Sequence, residues 1–245
     1  MQAWTDEFKA LLIKTAASYG IEVTADQAQA MLRHVDLVIE KNKVMNLTRI
    51  VEPEAALMLH VVDSLLLVPA LRQKGYQAST RLLDIGTGAG FPGVPLAIAT
   101  GMRTTMIDSV GKKVAAVQEF VEELGLGAHV TVEKDRAETF ALSHAHEFDF
   151  VTARAVAPLA VLVEYATPLL VKNGLMVVSK AAVQDEEWNS ALATAQVCGL
   201  DLVSRETFEL PEGRGTREII AYQRVRTPKV KLPRTPGAAK HKPLA

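Results

Sequence analysis

Residues Arg81–Pro95 read RLLDIGTGAGFPGVP and predict the architecture of the middle of the chain. The apolar run Leu82–Ile85 indicates a buried strand, with the acid Asp84 near its carboxyl end. Glycines alternate through the following turn, at Gly86, Gly88 and Gly90. Pro92 suits the first position of a helix, where no backbone N–H is needed. Because this arrangement lets a ligand approach bare backbone and free helix N–H groups, it predicts a nucleotide-like ligand.

The composition fits one soluble α/β domain with a modest extension. Of the 245 residues, 49% are hydrophobic and 22% are charged. The single cysteine, Cys198, excludes an internal disulfide framework and a cysteine-based zinc site, and we expect no bound metal. The sequence starts without a secretion signal, and its longest apolar stretch, Leu65–Leu71, is too short to span a bilayer. We therefore expect a cytoplasmic, monomeric protein without a membrane partner.

The net charge of −1 conceals a strong asymmetry along the chain. All 28 acidic residues but only 20 of the 27 basic residues lie at or before residue 223, so this part carries a net charge of −8. The remaining basic residues lie in the last 22 positions, without an acid: Arg224, Arg226, Lys229, Lys231, Arg234, Lys240 and Lys242. Two interpretations stay open, an arm that binds nucleic-acid phosphates through these residues and a solvated, disordered tail.

Hydrophobic periodicity divides the chain into three parts. Residues 1–75 form a helical extension, with helices over 3–19, 24–44 and about 54–71, and Thr24 with Gln27 resembles a capping box. In residues 76–225, strands are predicted at 81–85, 104–108, 129–133, 148–152, 174–180, 200–209 and 216–224. Helices are predicted between them at 92–100, 111–125, about 136–143, 158–172 and 183–198. We expect an α/β, Rossmann-like domain whose seven-stranded, mostly parallel sheet ends in an antiparallel hairpin, followed by a basic, proline-rich tail at 226–245.

Two ligands are compatible with the glycine turn, a nicotinamide dinucleotide and S-adenosylmethionine. Asp84 lies where a carboxylate can meet a cationic amino group, whereas a pyrophosphate would be repelled there. Asp108 ends the next predicted strand and is placed to accept hydrogen bonds from ribose hydroxyls in either case. The antiparallel finish of the sheet is typical of S-adenosylmethionine-dependent methyltransferases, which also bracket the adenine at positions corresponding to Ala137 and Glu138. These features favour S-adenosylmethionine, with S-adenosylhomocysteine as the product.

The segment after the fourth strand bears on which atom is methylated. Residues 152–159 read TARAVAPL and lack the Asn/Asp-Pro-Pro-aromatic turn common in enzymes that methylate exocyclic amines. Cys198 is badly placed to act as the nucleophile that C5 methylation needs. Guanine N7 has a free lone pair and needs neither a base nor a nucleophile. Arg154 is suited to hold the cofactor or the base edge through its fixed N–H geometry.

An ordered series of motifs resembles the ribosomal RNA small subunit methyltransferase G family, also called glucose-inhibited division protein B. The series comprises Asn46-Leu47-Thr48, His60-x-x-Asp63-Ser64-Leu65, Asp84 to Gly93, Asp108-Ser109-x-x-Lys112-Lys113, Arg154 to Leu159, Lys180, and Pro233-Arg234-x-Pro236-Gly237 with Pro243-Leu244. Two positions depart from the family pattern: Ala181 follows Lys180 where glycine is usual, and Leu232 precedes Pro233 where an aromatic residue is usual.

The resemblance implies methylation of N7 of one guanine in 16S ribosomal RNA, with the RNA or the assembled small subunit as partner. It carries cofactor contacts over to Gly86, Phe91, Ala137, Glu138 and Arg154. Arg154 and Lys180 are candidates for positioning the substrate, while no catalytic residue is assigned. The roles of Asn46, His60 and Asp63 stay open between substrate contact and local structure. Two other functions also stay open at this point, a dehydrogenase that uses NAD and a non-catalytic RNA- or ribosome-binding module.

Overall fold

The computed structural model describes residues 6–245, and the first part of this range is helical. Its helices are α1 (Asp6–Ser18), α2 (Ala25–Asn42), α3 (Pro53–Ala56), α4 (Asp63–Leu65) and α5 (Val68–Lys74), with a π-helical turn at Leu57–Val62 between α3 and α4. Residues 3–5 of the first predicted helix lie outside the described residues. The predicted capping box is confirmed, because Thr24 and Gln27 exchange backbone-to-side-chain hydrogen bonds of 3.2 and 2.9 Å.

Strands and helices alternate through the rest of the chain. The strands are β1 (Arg81–Ile85), β2 (Arg103–Asp108), β3 (Val130–Lys134), β4 (Phe148–Arg154), β5 (Leu170–Lys180), β6 (Leu200–Glu209) and β7 (Thr216–Arg224). The helices are α6 (Gly93–Thr100), α7 (Gly111–Glu123), α8 (Ala137–Ser143), α9 (Leu159–Ala166), α10 (Asp185–Cys198) and α11 (Ala238–His241). The predicted bounds of β1, β6 and β7 are confirmed to the residue.

The seven strands form one sheet in the order β3-β2-β1-β4-β5-β7-β6. Neighbouring strands run parallel except that β7 is antiparallel to both β5 and β6. The antiparallel pairing of β6 with β7 is the hairpin that the sequence predicts. The direction of the strand order reverses between β1 and β4. In open α/β sheets a ligand binds at the carboxyl ends of the strands where this reversal occurs, so the crevice after Ile85 and Arg154 is the place to look for a site.

One predicted helix is wrong in its second half. Residues 158–172 were expected to be helical, but α9 ends at Ala166 and β5 already begins at Leu170. Pro168 explains the end of the helix, since it has no N–H to continue the hydrogen-bond ladder. Leu170 instead pairs with Phe148 of β4 and extends the sheet.

The helical extension shares its core with the sheet. Leu12, Met31 and Leu57 are fully buried in the same apolar cluster as Leu82 and Phe150 of the sheet. Helices α8, α9 and α10 cover the opposite face in a second cluster. Residues 6–75, part of the predicted helical extension, therefore pack into the same hydrophobic core as one face of the sheet.

The apolar stretch of the extension is longer than the sequence pattern indicates. Pro53–Lys74 forms a run of 22 helical residues that is long and apolar enough to cross a membrane by length and composition. However, 78% of its most apolar window is buried inside the protein. This burial is what a core helix needs, because the run packs against the sheet on one side and α2 on the other.

Candidate functional site

The glycine turn after β1 is held against the end of β2. The backbone N–H groups of Gly86 and Thr87 both donate to the carbonyl of Ile107, at 2.8 and 3.1 Å. Gly88 donates its N–H to Asp108 Oδ2 at 3.0 Å, and Asp108 Oδ1 accepts from Val110 N–H at 2.8 Å. Asp108 therefore fixes the turn from below, and its carboxylate oxygens retain lone pairs that other donors can use.

Gly86 must be a glycine for two independent reasons. Its φ of +69° lies in the left-handed region, which disfavours side chains. In addition, a Cβ atom at this position would lie only 2.6 Å from Cγ2 of Val156, in the loop after β4. The loops after β1 and β4 thus approach each other closely at the reversal of the strand order.

Asp84 lies beneath the turn, in the interior of the protein. Its side chain is fully buried; Oδ2 accepts from Gly93 N–H at 3.0 Å and Oδ1 accepts from Thr152 Oγ1 at 3.2 Å. Burial raises the pKa of Asp84 to about 7, although these hydrogen bonds oppose the shift. Asp84 therefore ties the end of β1 to the start of α6, and its expected contact with a ligand's amino group stays a prediction.

A crevice of about 260 Å³ opens beside the glycine turn, at the carboxyl ends of β1 and β2. Four of the predicted cofactor residues line it: Gly86, Asp108, Ala137 and Glu138. The other eleven lining residues were not among the predicted cofactor contacts, and they include Lys113, Val156, Tyr165 and Lys240. Lys113 and Val156 belong to the quoted motifs and could have been included, but nothing in the sequence signals that Tyr165 and Lys240 lie there. We call this cavity the cofactor crevice.

Glu138, at the start of α8, joins the body of the protein to its carboxyl terminus. It is 6% exposed, and its Oε1 accepts from the backbone N–H of Gly237 at 2.8 Å. Arg136 lies 3.9 Å from Oε2. Burial and then the neighbouring Glu138 carboxylate raise the pKa of Tyr165 to about 12, so the phenol stays protonated and can donate to Glu138. The Glu138 carboxylate is thus supplied with donors from within the chain.

A second cavity, of about 400 Å³, adjoins the crevice on the other side of Ala155. Ala155 lines both cavities and has a φ of +54°, a left-handed conformation that is uncommon for a residue with a side chain. Such conformations cluster at functional sites. We call this second space the acceptor cavity, and its lining includes His60, Asp63, Arg154, Lys180 and Arg217.

Asp63 is the hub of the acceptor cavity. Its Oδ2 accepts from Arg154 Nη1 at 3.1 Å and from Arg217 Nε at 2.8 Å. Its Oδ1 accepts from Ser179 Oγ at 2.8 Å. The carboxylate is 4% exposed, so two guanidinium groups and a hydroxyl replace the water that it gives up on burial. One helical residue therefore holds β4, β5 and β7 together at the site.

The imidazole of His60 is fixed as a neutral ring. Arg154 can only donate, so the 3.4 Å contact from its Nη2 makes His60 Nδ1 an acceptor. The proton then lies on Nε2, which donates to Thr48 Oγ1 at 3.0 Å. Burial and then the charge of Arg154 lower the pKa of His60 to about 4. Neither ring nitrogen is free to take up a proton near neutral pH.

Phe91 lies outside the cofactor crevice, and its predicted cofactor contact stays a prediction. Its ring is 4% exposed and stacks on His60 at a centroid distance of 4.6 Å, with His34 at 4.5 Å on the ring as well. The Arg154 guanidinium lies 5.6 Å from the same ring centroid. Arg154, also predicted to contact the cofactor, lines the acceptor cavity instead. Phe91 therefore packs the wall between the glycine turn and the helical extension.

The remaining predicted residues have separate positions. Lys180 pairs with Glu187 at 2.7 Å and donates to the carbonyl of Ala157 at 3.2 Å. Gly88 and Gly90 shape the turn but do not line the crevice. Asn46 is exposed in the loop between α2 and α3. Within residues 6–245, His, Cys, Asp and Glu side chains form no group that could hold a metal ion.

The basic carboxyl-terminal region, residues 224–245, is folded onto the body, unlike a solvated, disordered tail, and its binding to nucleic-acid phosphates stays a prediction. Three arginines of this region donate to groups of the body. Arg224 donates to the Leu170 carbonyl at 2.8 Å, Arg226 to Asp201 at 2.9 Å and Arg234 to Glu164 at 2.7 Å. The four lysines stay exposed and form no ion pair with residues 6–245: Lys229, Lys231, Lys240 and Lys242. The predicted set of seven RNA-binding residues therefore separates into structural arginines and free lysines.

Comparison with known proteins identifies relatives over almost the whole chain. Residues 27–218 match the family described as GidB: rRNA small subunit methyltransferase G. The Ribosomal RNA small subunit methyltransferase G of Lactococcus lactis is 36% identical over 242 residues, which cover 98% of each chain. The protein of the same name from Staphylococcus epidermidis RP62A is 34% identical over 235 residues, covering 95% of this chain and 97% of the relative.

Solved structures are similar in fold at low sequence identity. A geranyl diphosphate methyltransferase in complex with GPP and sinefungin superposes with a TM-score of 0.55 and 13% identity, covering 72% of this chain and 82% of that chain. A mutant of MtNAS in complex with S-adenosylmethionine gives a TM-score of 0.53 and 16% identity, covering 89% and 78%. These likenesses establish the Rossmann-like methyltransferase fold.

Proposed function

Because the chain belongs to the rRNA small subunit methyltransferase G family, we propose that it methylates N7 of a guanine in 16S ribosomal RNA. The methyl donor is S-adenosylmethionine and the product is S-adenosylhomocysteine. The observation that carries the proposal is that two cavities of different character meet at Ala155. One offers open backbone and a carboxylate, while the other offers cationic donors. A donor and an acceptor bound in these cavities would be neighbours, which favours direct transfer.

The residues of the cofactor crevice fit an adenosyl group. Gly86 lines the crevice with backbone alone, and Asp108 has lone pairs for ribose hydroxyls. Ala137 offers a small apolar surface next to the position predicted for the adenine. When bound, the cofactor supplies an electrophilic methyl group on a sulfonium. The protein's contribution is to orient that group toward the acceptor cavity.

The acceptor cavity suits a guanine rather than an acceptor that must lose a proton. His60 uses both ring nitrogens internally, and Asp63 already accepts from two guanidinium groups and a hydroxyl. The cavity lining therefore provides no free general base among the residues described. Guanine N7 already carries a lone pair, so transfer to it needs positioning rather than deprotonation.

Two donors remain for the guanine edge. Lys180 has three N–H bonds, of which Glu187 and the Ala157 carbonyl take two. Arg217 donates through Nε and Nη1, which leaves its Nη2 group without a partner among residues 6–245. Both side chains line the acceptor cavity. They would hold guanine O6, which neighbours N7 on the Hoogsteen edge.

The exposed lysines of the tail would bind the phosphate backbone of the RNA. Such contacts are electrostatic and weaken as salt rises. The target base must be unstacked to reach the cavity, so folded RNA or the assembled small subunit is the proposed substrate. Ribosomes are the only source of this RNA, and we therefore propose that the protein acts in the cytoplasm.

The test is methyl transfer from labelled S-adenosylmethionine to small subunits and to naked 16S RNA, followed by mapping of 7-methylguanosine. We expect label in one guanine of at least one of these substrates. Label on another base, on another atom of guanine, or in neither substrate would contradict the proposal. Titration with S-adenosylhomocysteine and with NAD provides a separate check, and binding of NAD alone would favour a dehydrogenase.

Two lysines of β5 provide a matched pair of variants. Lys180→Met removes a donor at the acceptor cavity, whereas Lys172→Met removes an exposed lysine toward the other end of the same strand. Loss of one charge-assisted hydrogen bond predicts a decrease of about 10- to 100-fold in kcat/KM for RNA in Lys180→Met. Lys172→Met should stay close to the unmodified protein. Equal activities of the two variants would contradict the proposal that Lys180 contacts the guanine.

A further inference from the structure

We propose that the carboxyl-terminal segment, residues 226–245, is a wall of the cofactor crevice, and that Glu138 is the residue that positions it. The inference rests on the proposed binding of S-adenosylmethionine in that crevice. It differs from the interpretations drawn from the sequence, in which this segment is an RNA-binding arm or a solvated tail and Glu138 is a cofactor contact.

The segment is anchored along its whole length. The N–H groups of Val225 and Arg226 both donate to the Gly199 carbonyl at 3.0 Å, and Lys229 N–H donates to the Val197 carbonyl at 2.8 Å. At its end, Ser190 Oγ donates to the Ala245 carbonyl at 2.8 Å. These contacts hold the segment against α10 and the turn after it. An arm that serves only to bind phosphates would not need these hydrogen bonds to the body.

Two buried contacts fix the middle of the segment. Arg234 donates from Nε to Glu164 Oε1 at 2.7 Å and pairs through Nη2 with the other oxygen, and the Glu164 side chain is only 5% exposed. Ala239, in α11, is 2% exposed and belongs to the apolar cluster on this face of the sheet. A buried carboxylate needs its partner, so release of the segment would expose an apolar surface and leave Glu164 unpaired.

The anchored segment reaches the cofactor crevice at Gly237–Lys240. Gly237 donates its N–H to Glu138 at 2.8 Å, and Lys240 lines the crevice together with Glu138, Asp108 and Tyr165. A ligand in the crevice would therefore contact both the body and the segment. Since it binds the docked state better than the released state, it must also shift the segment toward docking.

The opposite arrangement, in which the segment occupies the ligand's place, predicts the opposite response. A competing segment would be expelled by the ligand, whereas a wall is stabilised by it. The crevice keeps about 260 Å³ of space beside the docked segment, which is consistent with a wall. Hydrogen exchange of the backbone amides distinguishes the two, because Lys240, His241 and Lys242 donate their N–H groups within the segment itself.

The experiment measures hydrogen exchange of the full-length protein with and without saturating S-adenosylhomocysteine, after calorimetry has established that the compound binds. We expect slower exchange at residues 234–242 in its presence. Faster exchange would indicate competition, and unchanged exchange with measurable binding would indicate independence; either overturns the inference alone. Failure of the compound to bind would overturn the proposed function and this inference with it.

Variants test the reciprocal effect. Ala239→Gln places a larger polar side chain at the buried position of α11, and His241→Gln changes an exposed neighbour as a matched control. If docking falls to about a tenth of the molecules, the apparent Kd for S-adenosylhomocysteine rises about tenfold. We expect this rise in Ala239→Gln and not in His241→Gln. Equal affinities of the two would contradict the inference.

Glu138 is tested in the free protein, where a residue that only touches cofactor would have no effect. Glu138→Ala removes the acceptor for Gly237 N–H and should speed exchange at residues 237–242 without ligand. Glu138→Gln keeps an acceptor oxygen and should restore slow exchange in part. No change in exchange for Glu138→Ala would overturn its positioning role, even if its affinity for S-adenosylhomocysteine falls.

Discussion

Replacement of Asp63 by asparagine should destabilise the protein far more than a typical loss of one ion pair. The carboxylate is 4% exposed and carries Arg154, Arg217 and Ser179 on its two oxygens. Loss of one partner from a buried pair costs about 3–5 kcal/mol. The two guanidinium groups stay 15% and 17% exposed, so water screens them in part and we expect the lower end, about 3 kcal/mol.

The assay is unfolding in urea and by heat, with Asp201→Asn as the matched control. For a chain of this size the change should lower the Tm of Asp63→Asn by about 6–12 °C. Asp201 pairs with Arg226, and both side chains are 53% exposed, so water screens the pair and its replacement should leave the free energy of unfolding nearly unchanged. If Asp63→Asn loses no more stability than the control, Asp63 is not the hub that its contacts indicate.

Two further predictions concern the glycine turn and the acid beneath it. Gly86→Ala should destabilise the protein and weaken binding of S-adenosylhomocysteine, because its Cβ would clash with Val156. Gly101→Ala is the matched control, since Gly101 has a similar φ of +65° but a Cβ there would have no atom within 4 Å. Thermal melts of the two variants separate the effect of the clash from that of the backbone conformation. The pKa of Asp84 is raised to about 7 from 3.8, so its contribution to stability is full below about pH 4 and is lost as pH rises through 7. Asp84→Asn should therefore gain stability relative to the unmodified protein as the pH rises from about 4 to about 7 in urea titrations, and the difference should level off above the raised pKa; a pH-independent difference would contradict the raised pKa.

The sequence predicts the sheet well because its strands obey simple local rules. The apolar run of β1 is bounded by turn residues, and the short connection between β6 and β7 requires these two strands to be antiparallel. The failure at 158–172 has a physical cause. Leu170 and Val171 continue the apolar pattern of α9, and only their pairing partner across the sheet, Phe148, makes them a strand.

The candidate site is predicted less completely, since motif positions do not specify which way a side chain faces. Asp84 and Phe91 belong to the same motif as Gly86, yet both are buried away from the crevice that Gly86 lines. Conversely, Tyr165 and Lys240 reach the crevice from α9 and α11, far along the chain. Such convergence depends on tertiary packing, which local sequence patterns do not contain.

Charge composition is a weak guide to the role of the tail for a related reason. A cluster of seven basic residues without an acid indicates an anionic partner, but the acids that pair with its arginines lie in α9 and β6. Arg234 finds Glu164 and Arg226 finds Asp201, at sequence separations of 70 and 25 residues. The net charge of −8 on the body therefore attracts part of the tail before any RNA is present.

The two cavities are completed by opposite ends of the chain. Asp63, from the helical extension, fixes Arg154 and Arg217 at the acceptor cavity, and His60 lies in the π-helical turn directly before it. The cofactor crevice needs none of these residues and is instead flanked by Lys240 of the carboxyl-terminal segment. The central sheet thus supplies Gly86 and the neighbouring loops to both, while each terminal segment adjusts one cavity. Changes in the helical extension should therefore act mainly on the acceptor, and changes in the carboxyl-terminal segment mainly on the cofactor.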